Sequence, residues 1–461
     1  MAKKQVLASS DKNKSDKSTV VFPDVQTHTV NPAKSINLNI RGLPLSATLR
    51  INEKSNELKE KGMKIYKLGL GQSPFPVPES VVQSLRDNAH QKDYLPVKGL
   101  KKLRDSVANY HWNEDNVNIK PENVLIGPGS KELLFLLQLT FYGEILVPSP
   151  CWVSYTPQAK IIGRNVKTIR TTFKDRYRIT PQKLDALLER EHDTNKPRLL
   201  ILNYPDNPTG TSYTESELKK LADVASNYGV IILSDEIYGR IHHDGNHKSI
   251  ARFYPEGTIV SSGLSKWAGA GGWRLGTFSF PDELNWIMES IASVASETYT
   301  SVSAPIQYAA CTAFNGNEEI DNYLTHSRRI LKSLAHFSVE KLREAQVNVH
   351  TPDGAFYLFP DFLAIREPLE NHNIFTSRQM IDKILEETGV AFLPGEDFGR
   401  FEEELSARLA YVDFDGTKTL QASMDESGTN LLSDSFLKEY APNVTTGIEK
   451  ISDWVKNINN G

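Results

Sequence analysis

The sequence predicts an α/β protein built on a doubly wound, mostly parallel sheet. Three observations carry that expectation. Arg198-Leu199-Leu200-Ile201-Leu202 and Gly229-Val230-Ile231-Ile232-Leu233-Ser234 are nearly continuous apolar runs, as strands buried on both faces of a sheet must be. A helical stretch, residues 215–228, lies between them, and strands alternating with helices build parallel sheets. Polar clusters follow the C-terminal ends of the runs, where ligands bind in such sheets.

Bulk properties narrow the function. The chain has 461 residues, 39% apolar and 24% charged, enough for two domains. A net charge of −4 gives no electrostatic case for nucleic acid. No apolar run is long enough to span a bilayer. Cys151 and Cys311 are far apart and match no metal spacing, so free thiols in a reducing, cytoplasmic setting are expected. Residues 1–40 are rich in Lys, Ser, Asp and Asn, and their apolar Val6-Leu7-Ala8 is too short for a signal-peptide core. A mobile or strand-exchanged extension is the expectation there.

Taken in order, residues 45–62 read as a helix stopped at Gly62, and 65–69 as a short strand. The Pro/Gly stretch from Gly71 to Pro78 is a rigid loop whose glycine lets backbone approach a ligand. A helix over 79–92 leads to Asp93-Tyr94-Leu95-Pro96-Val97-Lys98-Gly99-Leu100 and another helix. The strand 123–126 ends in Gly127-Pro128-Gly129-Ser130 and opens a helix over 131–140. Such a turn is a phosphate cradle, and Ser130 serves equally as a plain N-cap. Strand 144–148 runs into Ser149-Pro150-Cys151-Trp152, where the tryptophan is either core or a stacking face. Strand 198–202 ends in Asn203-Tyr204-Pro205-Asp206-Asn207-Pro208-Thr209-Gly210, and strand 229–234 in Asp235-Glu236-Ile237-Tyr238. His242-His243-Asp244-Gly245-Asn246-His247 reads as a hairpin around Asp-Gly rather than a metal site. Residues 283–299 and 303–345 read as helices, 354–360 as a strand, 376–388 as a helix and 407–412 as a strand carrying Arg408. That arginine is either an edge charge or, facing a cleft, a bidentate carboxylate clamp.

Gly263-Leu264-Ser265-Lys266-Trp267-Ala268-Gly269-Ala270-Gly271-Gly272-Trp273-Arg274-Leu275-Gly276 follows an apolar strand. A buried lysine loses solvation of its charge, so its neutral amine becomes a nucleophile for carbonyls. Arg274 offers a planar fork suited to phosphate. Together they suggest a phosphorylated aldehyde held as a Schiff base, which describes pyridoxal 5′-phosphate. Its ring nitrogen needs a carboxylate, for which Asp235 is the candidate, and its phenolic oxygen needs donors, which Asn207 and Tyr238 offer. Taken singly, Asp235 and Asn207 are equally turn or cap residues. After release from the cofactor, Lys266 is placed to act as general base.

From about Ser46 to Trp454 the chain resembles the fold-type I, class I/II aminotransferases, and within them the bacterial-type aspartate aminotransferases. The resemblance rests on Asn207-Pro208-Thr209-Gly210, Asp235-Glu236-Ile237-Tyr238, the Lys266–Arg274 run, Trp152 in its motif, and Tyr94. It implies a large cofactor-binding domain (81–325) and a smaller α+β domain made of 41–80 and 326–461. It implies that Lys266 carries the Schiff base, that Asp235 pairs with the ring nitrogen, and that Asn207 and Tyr238 contact the phenolic oxygen. Trp152 stacks on the ring, while Ser130, Lys131, Ser265 and Arg274 hold the phosphate. Arg408, Asn207, Gly71 and Trp152 contact substrate. Tyr94 reaches the partner's phosphate, which implies a homodimer. Ser46, Thr48 and Lys131 match residues that bind a distal carboxylate, favouring aspartate or glutamate as amino donor. The family often has serine where this chain has Gly263, so Ser265 or Ser262 substitutes, and Cys151 replaces a common tyrosine. The implied reaction is ping-pong transamination, with no metal. A lyase or cyclising enzyme of the same fold shares these residues, and a non-catalytic pyridoxal-phosphate-binding regulator is a more distant alternative.

Overall fold

The computed structural model describes residues 36–43, 47–191, 196–426, 428 and 430–460. Met1–Leu43 and Pro44–Gly461 form separate units. In the first, the described part contains a short turn, Leu38–Ile40, capped by Asn37, whose Oδ1 accepts from the Asn39 amide at 2.9 Å. Most of the expected extension 1–40, and Ser46, lie outside the described residues.

The strands of Pro44–Gly461 are β1 (Tyr66–Lys67), β2 (Val124–Gly127), β3 (Glu144–Ser149), β4 (Val166–Arg170), β5 (Arg198–Asn203) and β6 (Ile231–Asp235). They continue with β7 (Thr258–Gly263), β8 (Gly276–Ser279), β9 (Tyr357–Leu358), β10 (Val390–Ala391), β11 (Leu393–Pro394) and β12 (Ala407–Ala410). Seven form one sheet in the order β2-β8-β7-β6-β5-β3-β4. β3 to β7 are mutually parallel, and β8 runs antiparallel to both its neighbours.

β5 shows why the sheet is wound on both faces. Successive side chains of a strand point to opposite sides. Leu199 and Ile201 pack with Leu133, Leu137 and Ile287 of the helices Ser130–Thr140 and Asn285–Ser296. Leu200 and Leu202 pack with Leu184, Leu218 and Leu221 of the helices Pro181–Arg190 and Glu215–Asn227 on the other face. Thr214 and Glu217 form a reciprocal capping box that starts the latter helix. The remaining strands form an antiparallel β11-β12-β9 sheet and a parallel β1-β10 pair, in which Tyr66 faces Val390.

Several elements depart from expectation. β4 is an edge strand carrying Lys167 and Arg170, so its pattern lacks the apolar run of its neighbours. β8 hides in what reads as the tail of the glycine-rich stretch. The expected helix over 303–345 is two, Ala304–Asn315 and Glu318–Glu344. Gly316 at φ 69° ends the first, and Asn317 Oδ1 caps the second by accepting from the Ile320 amide at 2.8 Å. The expected strand over 354–360 shortens to β9. The hairpin expected at 242–247 does not form. Asp244-Gly245 makes a turn, but His242 bridges Gly354, His243 Nε2 donates to the Ala355 carbonyl and His247 turns to Glu236. Those partners draw the two arms apart.

Candidate active site

Sheet register gathers the polar strand ends. Asn203 lies opposite Asp235, and Asp235 opposite Ser261, so the segments after β5, β6 and β7 open side by side. They floor a cavity of about 560 Å³ that includes Asn207, Asp235, Tyr238, Ser265, Lys266 and Arg274 in its wall. Gly71, Ser130, Lys131, Trp152 and Arg408 complete it from neighbouring elements.

Lys266 Nζ donates to the Gly71 carbonyl at 2.7 Å. Burial, reinforced by the charges of Arg408 and Lys131, lowers its pKa from 10.5 to about 8, so a useful fraction of neutral amine exists near neutrality. Asp235 is buried; its Oδ2 accepts from Tyr155 Oη at 2.8 Å and its Oδ1 from Ser261 Oγ at 3.2 Å. Burial pushes its carboxyl upward, and the two hydroxyls oppose that shift. Tyr238 shares a 2.9 Å hydrogen bond with Tyr357 through their hydroxyls, with Lys266 Nζ 5.6 Å from the Tyr238 ring centre.

Arg408, in the middle of β12, is 5% exposed. Its Nη1 donates to Asn207 Oδ1 at 3.1 Å and its Nη2 to the Gly69 carbonyl at 2.6 Å, while its buried Nε has no partner. Its guanidinium lies 4.9 Å from the Tyr357 ring centre and 4.8 Å from that of Phe398. Lys131 Nζ stands 5.1 Å from the Trp152 ring centre. Among the described residues none of Lys131, Lys266, Arg274 and Arg408 is ion-paired, and Asp235 is the one carboxylate in the cavity wall. Arg408 is buried and Lys266 half-buried, and such charges without counter-ions are costly, while Lys131 and Arg274 add exposed positive charge, so this cleft is built for an anionic ligand.

The phosphate end has its own fit. Ser130 begins the helix Ser130–Thr140, with Gly129 rather than Ser130 at the N-cap, so the first-turn amides point outward without a side-chain cap. Arg274 donates to the Gly271 and Pro128 carbonyls at 2.9 and 3.1 Å. A Cβ on Gly129 would sit 2.2 Å from Arg274 Nη2, and one on Gly276 would sit 2.2 Å from the Ser130 nitrogen. Only glycine leaves this cradle open. A side chain at Gly263 would meet the Leu275 carbonyl oxygen at 2.7 Å, which accounts for the missing serine there. The donor set, the lone facing carboxylate and the neutral-amine lysine suit a phosphorylated pyridine aldehyde.

Not every expected residue joins. Tyr94 is 90% exposed and lies outside this cavity wall. Ser46 lies outside the described residues, and Thr48 starts the helix Ala47–Glu60 with its side chain likewise outside them. Two tyrosines were missed by sequence reasoning. Tyr155 closes the same Ser-Pro-Cys-Trp-Val-Ser-Tyr run as Trp152, and Tyr357 sits in a run that signals only a strand. A β-carbon on Gly71 would lie 2.1 Å from Tyr357 Oη, so this glycine makes room for the tyrosine.

Glu236, next to Asp235, faces a different environment. It accepts from Ser234 and Ser249 Oγ at 2.6 Å each and pairs with His247 Nε2 at 2.9 Å, while His111 Nδ1 pairs with Asp115 at 2.8 Å. Asp115, Glu236 and His247 bring ligand atoms within 4.8 Å of one another, but the pairing already occupies them.

Comparison with known proteins agrees with this geometry. The family model "Aminotransferase class I and II" matches residues 63–414. An aspartate aminotransferase of Bacillus subtilis is 31% identical over 384 residues, 81% of this chain and 93% of the relative. One from Geobacillus stearothermophilus is 32% identical over 386 residues, with 81% and 93% covered. A solved structure of Thermus thermophilus aspartate aminotransferase with maleate superposes with a TM-score of 0.74 at 27% identity, covering 85% of this chain and 98% of that one. The chain therefore belongs to the class I and II aminotransferases, and is a pyridoxal-phosphate-dependent transaminase.

Proposed function

We propose that the preferred amino donor is a dicarboxylic amino acid, aspartate or glutamate. The observation that carries this reading is the pair of separate, un-ion-paired cations in the cavity wall. Arg408 with its orphaned Nε suits the α-carboxylate, and Lys131 suits a second, distal carboxylate. Ser46 and Thr48 are proposed to assist Lys131. The names of the Bacillus and Geobacillus relatives support the same donor.

In this reading Ser130 and Lys131 amides, Ser265 and Arg274 hold the cofactor phosphate, and Trp152 covers the ring. Asp235 holds a proton on the ring nitrogen, and Asn207 and Tyr238 donate to the phenolic oxygen. Bound pyridoxal phosphate supplies an electron sink for the substrate Cα and a carrier for the amino group. Arg408, Asn207 and Gly71 fix the substrate carboxylate so that the Cα proton faces Lys266. The neutral Lys266 amine takes that proton and returns it, a transfer its lowered pKa favours.

The proposed organisation places the cofactor in 81–325, with 41–80 and 326–461 forming the smaller part. Exposed Tyr94 is proposed to complete the site of a second copy in a homodimer. No described helix is long and apolar enough to cross a membrane. The free Cys151 and Cys311 support a reducing, cytoplasmic setting, and the transaminase family carries the proposal of a biosynthetic role in amino-acid metabolism.

The test is a half-reaction series. Single amino acids are added to the loaded enzyme without oxo acid while the cofactor's visible absorbance is followed. Aspartate or glutamate is expected to react fastest, releasing one oxo acid per site. Faster reaction with an aromatic or neutral amino acid overturns the donor assignment.

A further inference from the structure

We propose that Tyr155 is a positioning residue that keeps Asp235 ionised and aimed into the cleft. The proposal rests on the reading that Asp235 faces the cofactor's ring nitrogen.

Tyr155 is 1% exposed and begins the short helix Tyr155–Ile161. Its ring stands edge-on to Trp152, with centres 5.4 Å apart and planes at 86°, so Trp152 and Tyr155 brace each other. A three-residue step from Trp152 to Tyr155 thus supplies both a flat face and a hydroxyl to the cavity wall. That hydroxyl reaches Asp235 Oδ2 at 2.8 Å, whereas Ser261 reaches Oδ1 only at 3.2 Å, so Tyr155 makes the stronger bond. A carboxylate offers about four lone-pair sites. With the Tyr155 and Ser261 hydroxyls and the Ile237 backbone amide donating to it, Asp235 retains an acceptor site for a ring N–H while its orientation is fixed from both sides.

The need for a strong donor follows from the surroundings. Asp235 is buried, and burial favours the neutral acid that cannot hold a cationic ring. The neighbouring Glu236 carboxylate adds to that upward pressure. Tyr155 works against both. Burial and the adjacent carboxylate hold its phenol well above 10, so it remains a donor throughout the working pH range.

The test compares Tyr155→Phe with Asp235→Asn in the purified full chain. The readouts are pyridoxal phosphate affinity by quenching of tryptophan fluorescence, the pH midpoint of the bound cofactor's visible absorbance, the melting point of the cofactor-free protein, and steady-state kcat and KM. Loss of one charge-assisted hydrogen bond predicts roughly tenfold weaker cofactor binding in Tyr155→Phe. The absorbance midpoint moves upward, because a ring that loses its proton repels other cofactor protons less. The kcat falls about as much as cofactor affinity, and the KM for the amino donor changes less than about twofold. Asp235→Asn moves the same quantities further. Tyr155→His, which keeps a ring N–H, recovers part of the loss and covers the case in which the phenylalanine variant folds poorly. If Tyr155→Phe only lowers the melting point and leaves affinity and midpoint as in the wild type, while Asp235→Asn changes them, the tyrosine is structural and the proposal fails. If Asp235→Asn also leaves both unchanged, the ring-nitrogen reading of Asp235 fails first.

Discussion

Asp235 and Glu236 are consecutive, yet they serve two opposite electrostatic designs. Around Asp235 the cleft collects Lys131, Lys266, Arg274 and Arg408 against a single carboxylate, and Arg408 keeps a buried Nε without an acceptor. Around Glu236 the charges are matched. His247 and His111 pair with Glu236 and Asp115, and three hydroxyls, of Ser234, Ser249 and Tyr204, donate to Glu236. The contrast also shows in the direction of the shifts. Burial drives Lys266 toward its neutral form, whereas the ion pair holds His247 above and Glu236 below their ordinary pKa values. One strand end thus separates charges reserved for a ligand from charges spent on the fold.

Breaking the matched side should cost the most. His247→Phe leaves Glu236 buried without its counter-charge and is expected to destabilise the fold by ~3–5 kcal/mol in urea denaturation. The pH dependence follows from the directions of the two shifts. His247 is raised, so its contribution is complete below about 6.5 and fades as pH rises through its higher folded value. Glu236 is lowered, so its contribution is complete above about 4.5 and fades as pH falls through its lower folded value. Stability in the wild type should therefore decline on both sides of that window, and the variant should lack this part of the profile.

On the unmatched side the penalty should appear in catalysis. Arg408→Lys removes the planar fork while keeping the charge. A charge-assisted bond is worth ~1.5–3 kcal/mol, so kcat/KM for the amino donor should fall about 10- to 100-fold. Steady-state kinetics with aspartate and 2-oxoglutarate measures it, and an unchanged value would mean that Arg408 does not bind substrate. Tyr357→Phe removes only an uncharged hydroxyl from the pair with Tyr238. At about 1 kcal/mol it should lower kcat by roughly fivefold with little change in stability.

The same contrast explains what could be read from sequence. The parallel strands were legible because both faces are buried, so Leu199 to Leu202 form one apolar run. The edge strand β4 and the antiparallel β8 lacked that pattern and were missed. Lys266, Asp235 and Arg274 were legible because their residue types and spacing fit a phosphorylated aldehyde, and Asn207, Trp152 and Arg408 because family motifs contain them. Tyr155 and Tyr357 were not, since a tyrosine in an aromatic or apolar run looks like core until its hydroxyl is located. The Glu236–His247 pair was hidden for a different reason. It joins residues eleven positions apart through a turn whose Asp-Gly signal pointed to a hairpin.

The most direct test of the account is the stability of cofactor-free Lys266→Ala. A lysine lowered from 10.5 to about 8 imposes a penalty on folding of at most ~3 kcal/mol. The penalty is complete below about pH 8 and disappears as pH rises toward 10.5. After the loss of stem packing, the variant should be more stable than the wild type by ~1–2 kcal/mol at pH 7. That gain should shrink between pH 8 and 10.5, even though transamination is abolished. If the variant is instead less stable at pH 7, Lys266 supports the fold in the way His247 does, and the division between ligand-reserved and fold-bound charge is wrong.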